Sequence, residues 1–357
     1  MLETSDNFPR RKRFLIGQLG KYGDCLFATT IARQIKSDYP DCHITWAIGS
    51  MYRLILNGNP YIDEIWEFPL SSNNSLSDSW KKFEHEAFNR KNLGDFDEII
   101  FTQIYPNNFK NFDGTVRSSI FRAYNKPITV PVSPVLRLSP KEVENVRIFA
   151  ESHHLKDKKH VILFECSPKS DQSFVTLDFA IEVSKKLIQK IPDLYIILSS
   201  NESFTSPEAC IVDASTLSFR ENAELTKYCT LLIGCSSGIS WLCTSDWAKP
   251  LPMVQLLTKY TGAYASMVQD HKYHGIASDL IIEMTECSVD KLSHCIEAIL
   301  TEGFSLAHQK YHERIRINFR HYTNIIVTFL LKNGKYKDAT ISMRYFLKRW
   351  VFEALLR

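Results

Sequence analysis

The sequence predicts an α/β protein built from two Rossmann-like, doubly wound domains and a C-terminal helical extension. Three observations carry that expectation. The chain has 357 residues, more than one hydrophobic core usually serves. Short apolar runs alternate with stretches of helical periodicity, the pattern of parallel strands covered by helices on both faces. The alternation also occurs twice, on either side of the charged segment Lys156-Asp157-Lys158-Lys159. The expected domains are residues 1–155, 156–305 and 306–357.

In the first series, residues 14–18 form an apolar run followed by glycines and read as a buried strand. Phe27, Ile31 and Ile35, with Ala28 and Ala32 beside them, then recur at helical spacing until Tyr39-Pro40-Asp41 stops the pattern. Residues 43–49, 62–68 and 98–102 are three more strands. Residues 71–79 are rich in Ser and Asn and are expected to form an exposed loop. Ser139-Pro140-Lys141-Glu142 opens a helix that runs to about His154: Ser139 can cap it, Pro140 suits the first position, and Glu142 can complete a capping box.

The second series starts with a strand at 161–164. Leu177, Ile181, Ser184, Leu187, Ile188 and Ile191 trace one helix face, and 195–198 follow as a strand. A short strand at 210–212 precedes Ser218-Phe219-Arg220-Glu221, a second capping-box start. Strand 230–234, helix 238–244 and strand 252–257 complete the series. Ligands of such sheets bind beyond the carboxyl ends of the strands, which directs attention to the turns after Gln18, Phe164, Leu198 and Gly234.

The region from His312 differs in character. Ten Lys and Arg residues there face only Glu313, Asp338 and Glu353, and the pattern around Asn333-Gly334 reads as a helical hairpin with aromatics Phe329, Tyr345, Phe346, Trp350 and Phe352. Two readings stay open: a peripheral membrane contact through basic and aromatic side chains, or a helical appendage whose charges are solvated.

Composition excludes several classes. A formal net charge of +3 is too mild for a protein that tracks a nucleic-acid backbone. The nine cysteines lack Cys-x-x-Cys spacing and read as reduced, buried thiols of a cytoplasmic protein. No apolar run is long enough for a membrane span, and residues 1–9 lack the apolar core of a signal peptide. Asp95-Phe96-Asp97 precedes a strand rather than following one, so it reads as a turn and not as a metal-binding pair. His153-His154 falls at a helix end, and no metal site is expected.

The residues with chemical interest begin at Gly20-Lys21-Tyr22-Gly23-Asp24. Glycines after a strand let the backbone turn tightly and approach a ligand, and the following helix presents free amides, so Gly20, Lys21, Tyr22 and Gly23 are candidate substrate-binding positions. Asp24 either caps the helix or serves as a general base that removes a proton from an acceptor hydroxyl. The spacing Gly17-x-x-Gly20-x-x-Gly23 departs from the dinucleotide fingerprint, and strand 43–49 offers no terminal acid for a ribose, which disfavours a dehydrogenase.

Residues 14–16, Leu19-Gly20-Lys21-Tyr22-Gly23-Asp24, Ala28-Thr29-Thr30, Tyr39-Pro40 and Asn59-Pro60-Tyr61-Ile62-Asp63 together resemble the N-terminal half of the heptosyltransferase-like proteins, glycosyltransferase family 9. Val161-Ile162-Leu163, Ser167, Lys169 and the stretch from Leu225 into Ser236-Ser237-Gly238 resemble that family's donor domain. The resemblance implies a GT-B fold, two Rossmann-like domains facing across a cleft, the acceptor on the first and the nucleotide sugar on the second. It implies an inverting, metal-independent glycosyltransferase that needs no cofactor, with Asp24 as base and a glycan or glycolipid as acceptor. Carried over by position, Ser167, Lys169, Ser236, Ser237 and Gly238 would bind the nucleotide, Lys169 offsetting leaving-group charge. The family commonly has Asp where this chain has Ser236 and His where it has Trp241, so the donor is left open. A sugar-nucleotide-binding protein without transfer, or a nucleotide-sugar epimerase of the same fold, are the alternatives.

Overall fold

The computed structural model describes residues 10–70, 76–104, 108–168, 172–259 and 266–355. In the first half the order is β1 (Arg13–Gly17), α1 (Tyr22–Asp38), β2 (His43–Gly49), β3 (Glu64–Phe68), α2 (Leu76–Asn92), β4 (Glu98–Phe101), α3 (Val116–Arg122) and α4 (Pro140–Ser152). The second half contains β5 (His160–Glu165), α5 (Leu177–Ile188), β6 (Leu194–Ser199), β7 (Ile211–Asp213), α6 (Glu221–Leu225), β8 (Leu231–Gly234) and α7 (Gly238–Leu242). It continues through β9 (Met253–Leu257), α8 (Met267–Tyr273), β10 (Ile281–Thr285), α9 (Val289–Thr301) and α10 (Phe304–Tyr311) to a final pair, α11 (Phe319–Phe329) and α12 (Tyr336–Leu355).

The strands form two all-parallel sheets, ordered β3-β2-β1-β4 and β10-β9-β8-β5-β6-β7. Counted from its own first strand, the second sheet has the doubly wound order 3-2-1-4-5-6. Each sheet therefore reverses direction beside its first strand, between β1 and β4 and between β5 and β8. Those are the switch points at which such sheets hold ligands.

Alternation along β1 shows why the sheet is covered on both faces. Phe14 and Ile16 pack with Phe27, Ile31 and Ile35 of α1, whereas Leu15 packs with Trp80, Phe83 and Ala87 of α2. Helix α2 corrects the expectation of a loop over 71–79: Leu76 to Ser79 form its first turn, and residues 71–75 lie outside the described residues. Its buried Trp80, Phe83 and Ala87 stand three and four apart, so the apolar stripe outweighs the polar composition of its start. The capping box of α4 forms as expected between Ser139 and Glu142. At α6 only half a box forms; Glu221 accepts from the Ser218 amide at 2.6 Å, while the cap position falls to Arg220.

One apolar cluster runs from the first sheet into the second, including Phe27 and Ile31 on one side and Trp241, Leu242 and Leu232 on the other. Arg220, 3% exposed, ties α6 to the first half through Glu142 and the carbonyls of Leu54 and Asn57. Asp246 accepts from Arg33 at 2.7 Å and from Arg137 at 3.0 Å across the same junction.

The expected hairpin forms around Gly334, whose φ of 68° is a left-handed conformation that suits glycine at a helix end. The pair α11 and α12 packs on the first half, in a small core of Phe109, Phe112, Tyr322, Ile326, Leu330, Ala339 and Phe346. Among the described residues no helix is long and apolar enough to cross a membrane.

Candidate functional site

The turn from β1 into α1 is held by a buried amide lattice. Gln18 Nε2 donates to the Gly20 carbonyl at 2.9 Å and to Gln103 Oε1 at 3.0 Å, and the Gly20 amide donates to the same Gln103 oxygen. Thr102 Oγ1 donates to Gln18 Oε1 at 2.7 Å, which fixes the amide orientation. Lys21 follows with φ 70°, a strained value for a side chain with a Cβ, and occupies the helix cap position without a side-chain cap.

Asp24 is therefore not the cap of α1. It is the third helical residue, half-buried, and its carboxylate makes no hydrogen bond to the chain among the described residues. Burial raises its pKa above the usual aspartate value, opposed by the charges of Arg117 and, less, Lys21. A carboxylate held without donors in a desolvated place has raised proton affinity and free lone pairs.

The neighbours of Asp24 come from both halves. Gly23 is placed so that a Cβ would lie 3.1 Å from Trp241 Cδ1 and 3.9 Å from Arg117 Nη2. Tyr22 packs between Tyr52 and Phe219, ring centroids 4.9 and 4.5 Å away, and donates to the Met51 carbonyl at 3.1 Å. A Cβ on Gly20 would meet the Tyr52 ring at 3.0 Å. Gly20 to Asp24 thus lines the face turned toward the second sheet.

Arg117, on α3, was not indicated by any sequence pattern. It is 2% exposed, its guanidinium lies 4.8 Å over the Trp241 ring, and it makes no side-chain hydrogen bond among the described residues. Buried guanidinium groups are normally paired. This one instead directs its charge at Asp24 and at Asp270.

The start of α7, expected to face a donor phosphate, is supplied with a carboxyl group by the protein itself. Glu165, the last residue of β5, accepts from the Cys235 amide at 3.0 Å, from Ser240 Oγ at 2.9 Å, from Ser237 Oγ and from the Ile239 amide. Burial pushes its pKa up, and these donors pull against that. Ser236 is fully buried with φ 51°, and its amide donates to Gln255 Oε1 at 2.6 Å. Gly238 abuts the first half: a Cβ there would lie 2.8 Å from Tyr22 Cβ. Ser167 pairs with Ser200, hydroxyl to hydroxyl, at 2.9 Å beyond β5. Lys169 lies outside the described residues.

Asp95 and Asp97 sit in the turn before β4, where Asp97 accepts from the Arg13 amide at 2.7 Å and Asp95 pairs with Arg90. Among the described residues no three His, Cys, Asp or Glu side chains gather as metal ligands. All nine cysteines are free thiols, and eight are buried. A depression of ≈ 470 Å³ along α2, at Lys81, His85 and Asn89, does not include Asp24 in its lining.

No protein-family model matches this chain, and no curated protein matches it. Solved structures do. A family 9 glycosyl transferase from Veillonella parvula is similar over 90% of this chain and 97% of its own, with a TM-score of 0.55 and 14% identity. The ADP-heptose lps heptosyltransferase II of E. coli is similar over 82% of this chain and 99% of its own, with a TM-score of 0.53 and 14% identity. The likeness extends across both sheets and establishes the GT-B fold, two Rossmann-like domains in one chain.

Proposed function

We propose that this GT-B protein is a glycosyltransferase that moves a sugar from a nucleotide-sugar donor to a glycan or glycolipid acceptor, with inversion and with Asp24 as general base. The observation that carries the proposal is the Asp24 carboxylate: half-buried, without a hydrogen bond from the described chain, raised in pKa, and set beside a switch point in the turn whose Tyr22 and Gly23 meet the second domain.

In the proposed reaction, Asp24 accepts the proton of an acceptor hydroxyl as that oxygen bonds to the anomeric carbon. Attack comes from the face opposite the nucleoside diphosphate, whose bond to the sugar breaks and which departs with the electron pair. In a metal-independent transfer the chain must meet the departing charge. Arg117 and Lys21 are the cations whose fields reach Asp24 among the described residues, and Lys169 remains the sequence-based candidate beyond β5. Arg117 also keeps a share of Asp24 ionised against desolvation, which a base requires.

The test is Asp24→Asn. A general base typically contributes about 100-fold to 10,000-fold, so turnover should fall by that factor while nucleotide binding, followed by calorimetry, persists. Near-normal turnover in the variant overturns the assignment. A thermal-shift panel of UDP, GDP, ADP and CMP sugars identifies the donor, since a ligand of the native state raises its apparent stability. Binding with no transfer and no donor hydrolysis across the panel would instead mark a sugar-nucleotide-binding protein.

A further inference from the structure

Helix α12 has two unlike faces. Ala339, Ser342, Phe346, Arg349 and Glu353 are buried at spacings of three and four, and they attach the helix to the body of the protein. An adjoining side exposes Tyr336 (68%), Met343 (40%), Leu347 (51%), Trp350 (58%) and Val351 (48%). These also follow a helical spacing, so the exposed apolar groups form one stripe rather than a scatter.

Lys337, Arg344 and Lys348 recur at seven and four residues and run along one edge of that stripe. All three are exposed, and none forms an ion pair among the described residues. The acids of the helix are kept away from them: Glu353 is buried against Arg349, and Asp338 is half-buried on the other flank. Charge is segregated along the chain in the same sense. Residues 312–357 hold ten of the 43 Lys and Arg and only three of the 40 Asp and Glu, leaving the rest of the protein net negative.

We propose that this face of α12 docks on an anionic lipid surface, with Leu347, Trp350 and Val351 entering the headgroup boundary and Lys337, Arg344 and Lys348 meeting lipid phosphates. An apolar stripe edged by cations, with tryptophan at its margin, is the composition of a helix that lies in a membrane interface. A second copy of the chain fits less well. A two-fold contact through the stripe would bring two rows of Lys337, Arg344 and Lys348 together without an acidic partner. The buried face of α12 reaches Ser118 of α3 through Arg349, and the adjacent Arg117 faces Asp24. A docked α12 would thus be joined to the Asp24 turn through α3, with α8 packed on the same buried face. The proposal does not depend on the transfer chemistry, because lipid binding is measured without donor or acceptor.

The full chain is co-sedimented with vesicles of phosphatidylcholine alone and of phosphatidylcholine containing roughly 30% phosphatidylglycerol, an anionic content that attracts basic segments. Binding to the anionic vesicles is expected, with loss at about 1 M salt, where screening shortens to a few ångströms. Lys337→Gln/Arg344→Gln/Lys348→Gln should weaken partitioning about a hundredfold, each basic residue contributing roughly a factor of five. Leu347→Ser/Trp350→Ser should weaken it comparably. Both sets are exposed, so the variants should keep the wild-type melting temperature, which is checked alongside. Failure to bind anionic vesicles at low salt overturns the proposal, as does equal binding by the wild type and both variants. It is equally overturned by a concentration-dependent dimer that Leu347→Ser/Trp350→Ser disperses, without any vesicle binding.

Discussion

Replacing Arg349 with methionine should cost the protein several kcal/mol, and the cost should depend on pH. Arg349 of α12 is fully buried and has partners at 3.3 Å on three elements: Asp270 on α8, Ser118 on α3 and Glu353 on its own helix. Its guanidinium also lies 4.2 Å over the Tyr273 ring. Asp270 is 1% exposed, and burial raises its pKa from 3.8 to about 6, with Arg349 the largest force opposing the rise. A folded pKa above the unfolded one means that the native state favours the protonated acid. The resulting penalty is absent below the unfolded value, grows as pH rises toward about 6, and is complete above it. With Arg349 present that penalty is on the order of 3 kcal/mol at neutral pH. Methionine retains much of the packing volume but leaves Asp270 without its main countercharge, and breaking a buried pair from one side typically costs about 3–5 kcal/mol. Urea unfolding measures the loss, as a drop in midpoint at unchanged slope. The loss should be larger near about pH 8 than near about pH 5, where Asp270 can protonate in the variant. Adding Asp270→Asn to Arg349→Met should restore part of the stability, a non-additive result expected of contacting groups. A loss under about 1 kcal/mol at the higher pH, or one independent of pH, would refute this account of the buried pair.

Three further outcomes follow from the site. Arg117→Gln removes the main charge that holds down the pKa of Asp24, so the acid limb of kcat/KM against pH should move upward, with activity below it falling about tenfold per pH unit; an unmoved limb would separate Arg117 from the base. Glu165→Gln turns an amide NH2 toward donors at the start of α7 and should lower stability by about 1–3 kcal/mol in urea unfolding, and an unchanged midpoint would contradict the hydrogen bonding described. Gly238→Ala places a Cβ 2.8 Å from Tyr22 Cβ and 3.0 Å from the Phe219 ring, neither of which is the free end of a flexible chain. The contact between α1 and α7 must then open, at a cost of about 1–3 kcal/mol, and a wild-type melting temperature would show that the two helices are not packed this closely.

The parts of this fold that are legible in the sequence are those whose determinants are local. Strands β1 and β5 are covered on both faces, so Phe14, Leu15 and Ile16, like Val161 to Phe164, appear as unbroken apolar runs. The cap of α4 is legible because its two halves, Ser139 and Glu142, are three residues apart. Helix α2 is hidden behind the polar run before it, although Trp80, Phe83 and Ala87 already carry its stripe. Strand β10 is hidden differently: Glu283 stands in its middle, a residue that argues against a buried strand. The fold accepts it because Ser266 and the Val268 amide of α8 donate to its carboxylate.

The site divides along the same line. Gly20 to Asp24 is one contiguous turn and announces itself, whereas Arg117 and Glu165 are brought to it and to α7 from distant segments of chain. Glu165 changes the meaning of a departure seen in the sequence. The resemblance to family 9 sets an aspartate where this chain has Ser236, which suggests that the α7 start has lost a carboxylate. Ser236 is instead buried with its amide on Gln255, and Glu165 brings a carboxylate to the same amides from the neighbouring strand β5. A carboxyl group at the head of α7 is thus retained in space though not in sequence. Under the proposed function, a donor diphosphate approaching that helix would meet this carboxyl group, whereas the cations whose fields reach Asp24, Arg117 and Lys21, stand on the first domain. If the proposed function holds, donor and acceptor recognition are expected to be coupled through Arg117, whose field reaches Asp24 and whose guanidinium rests on Trp241 of the opposite domain.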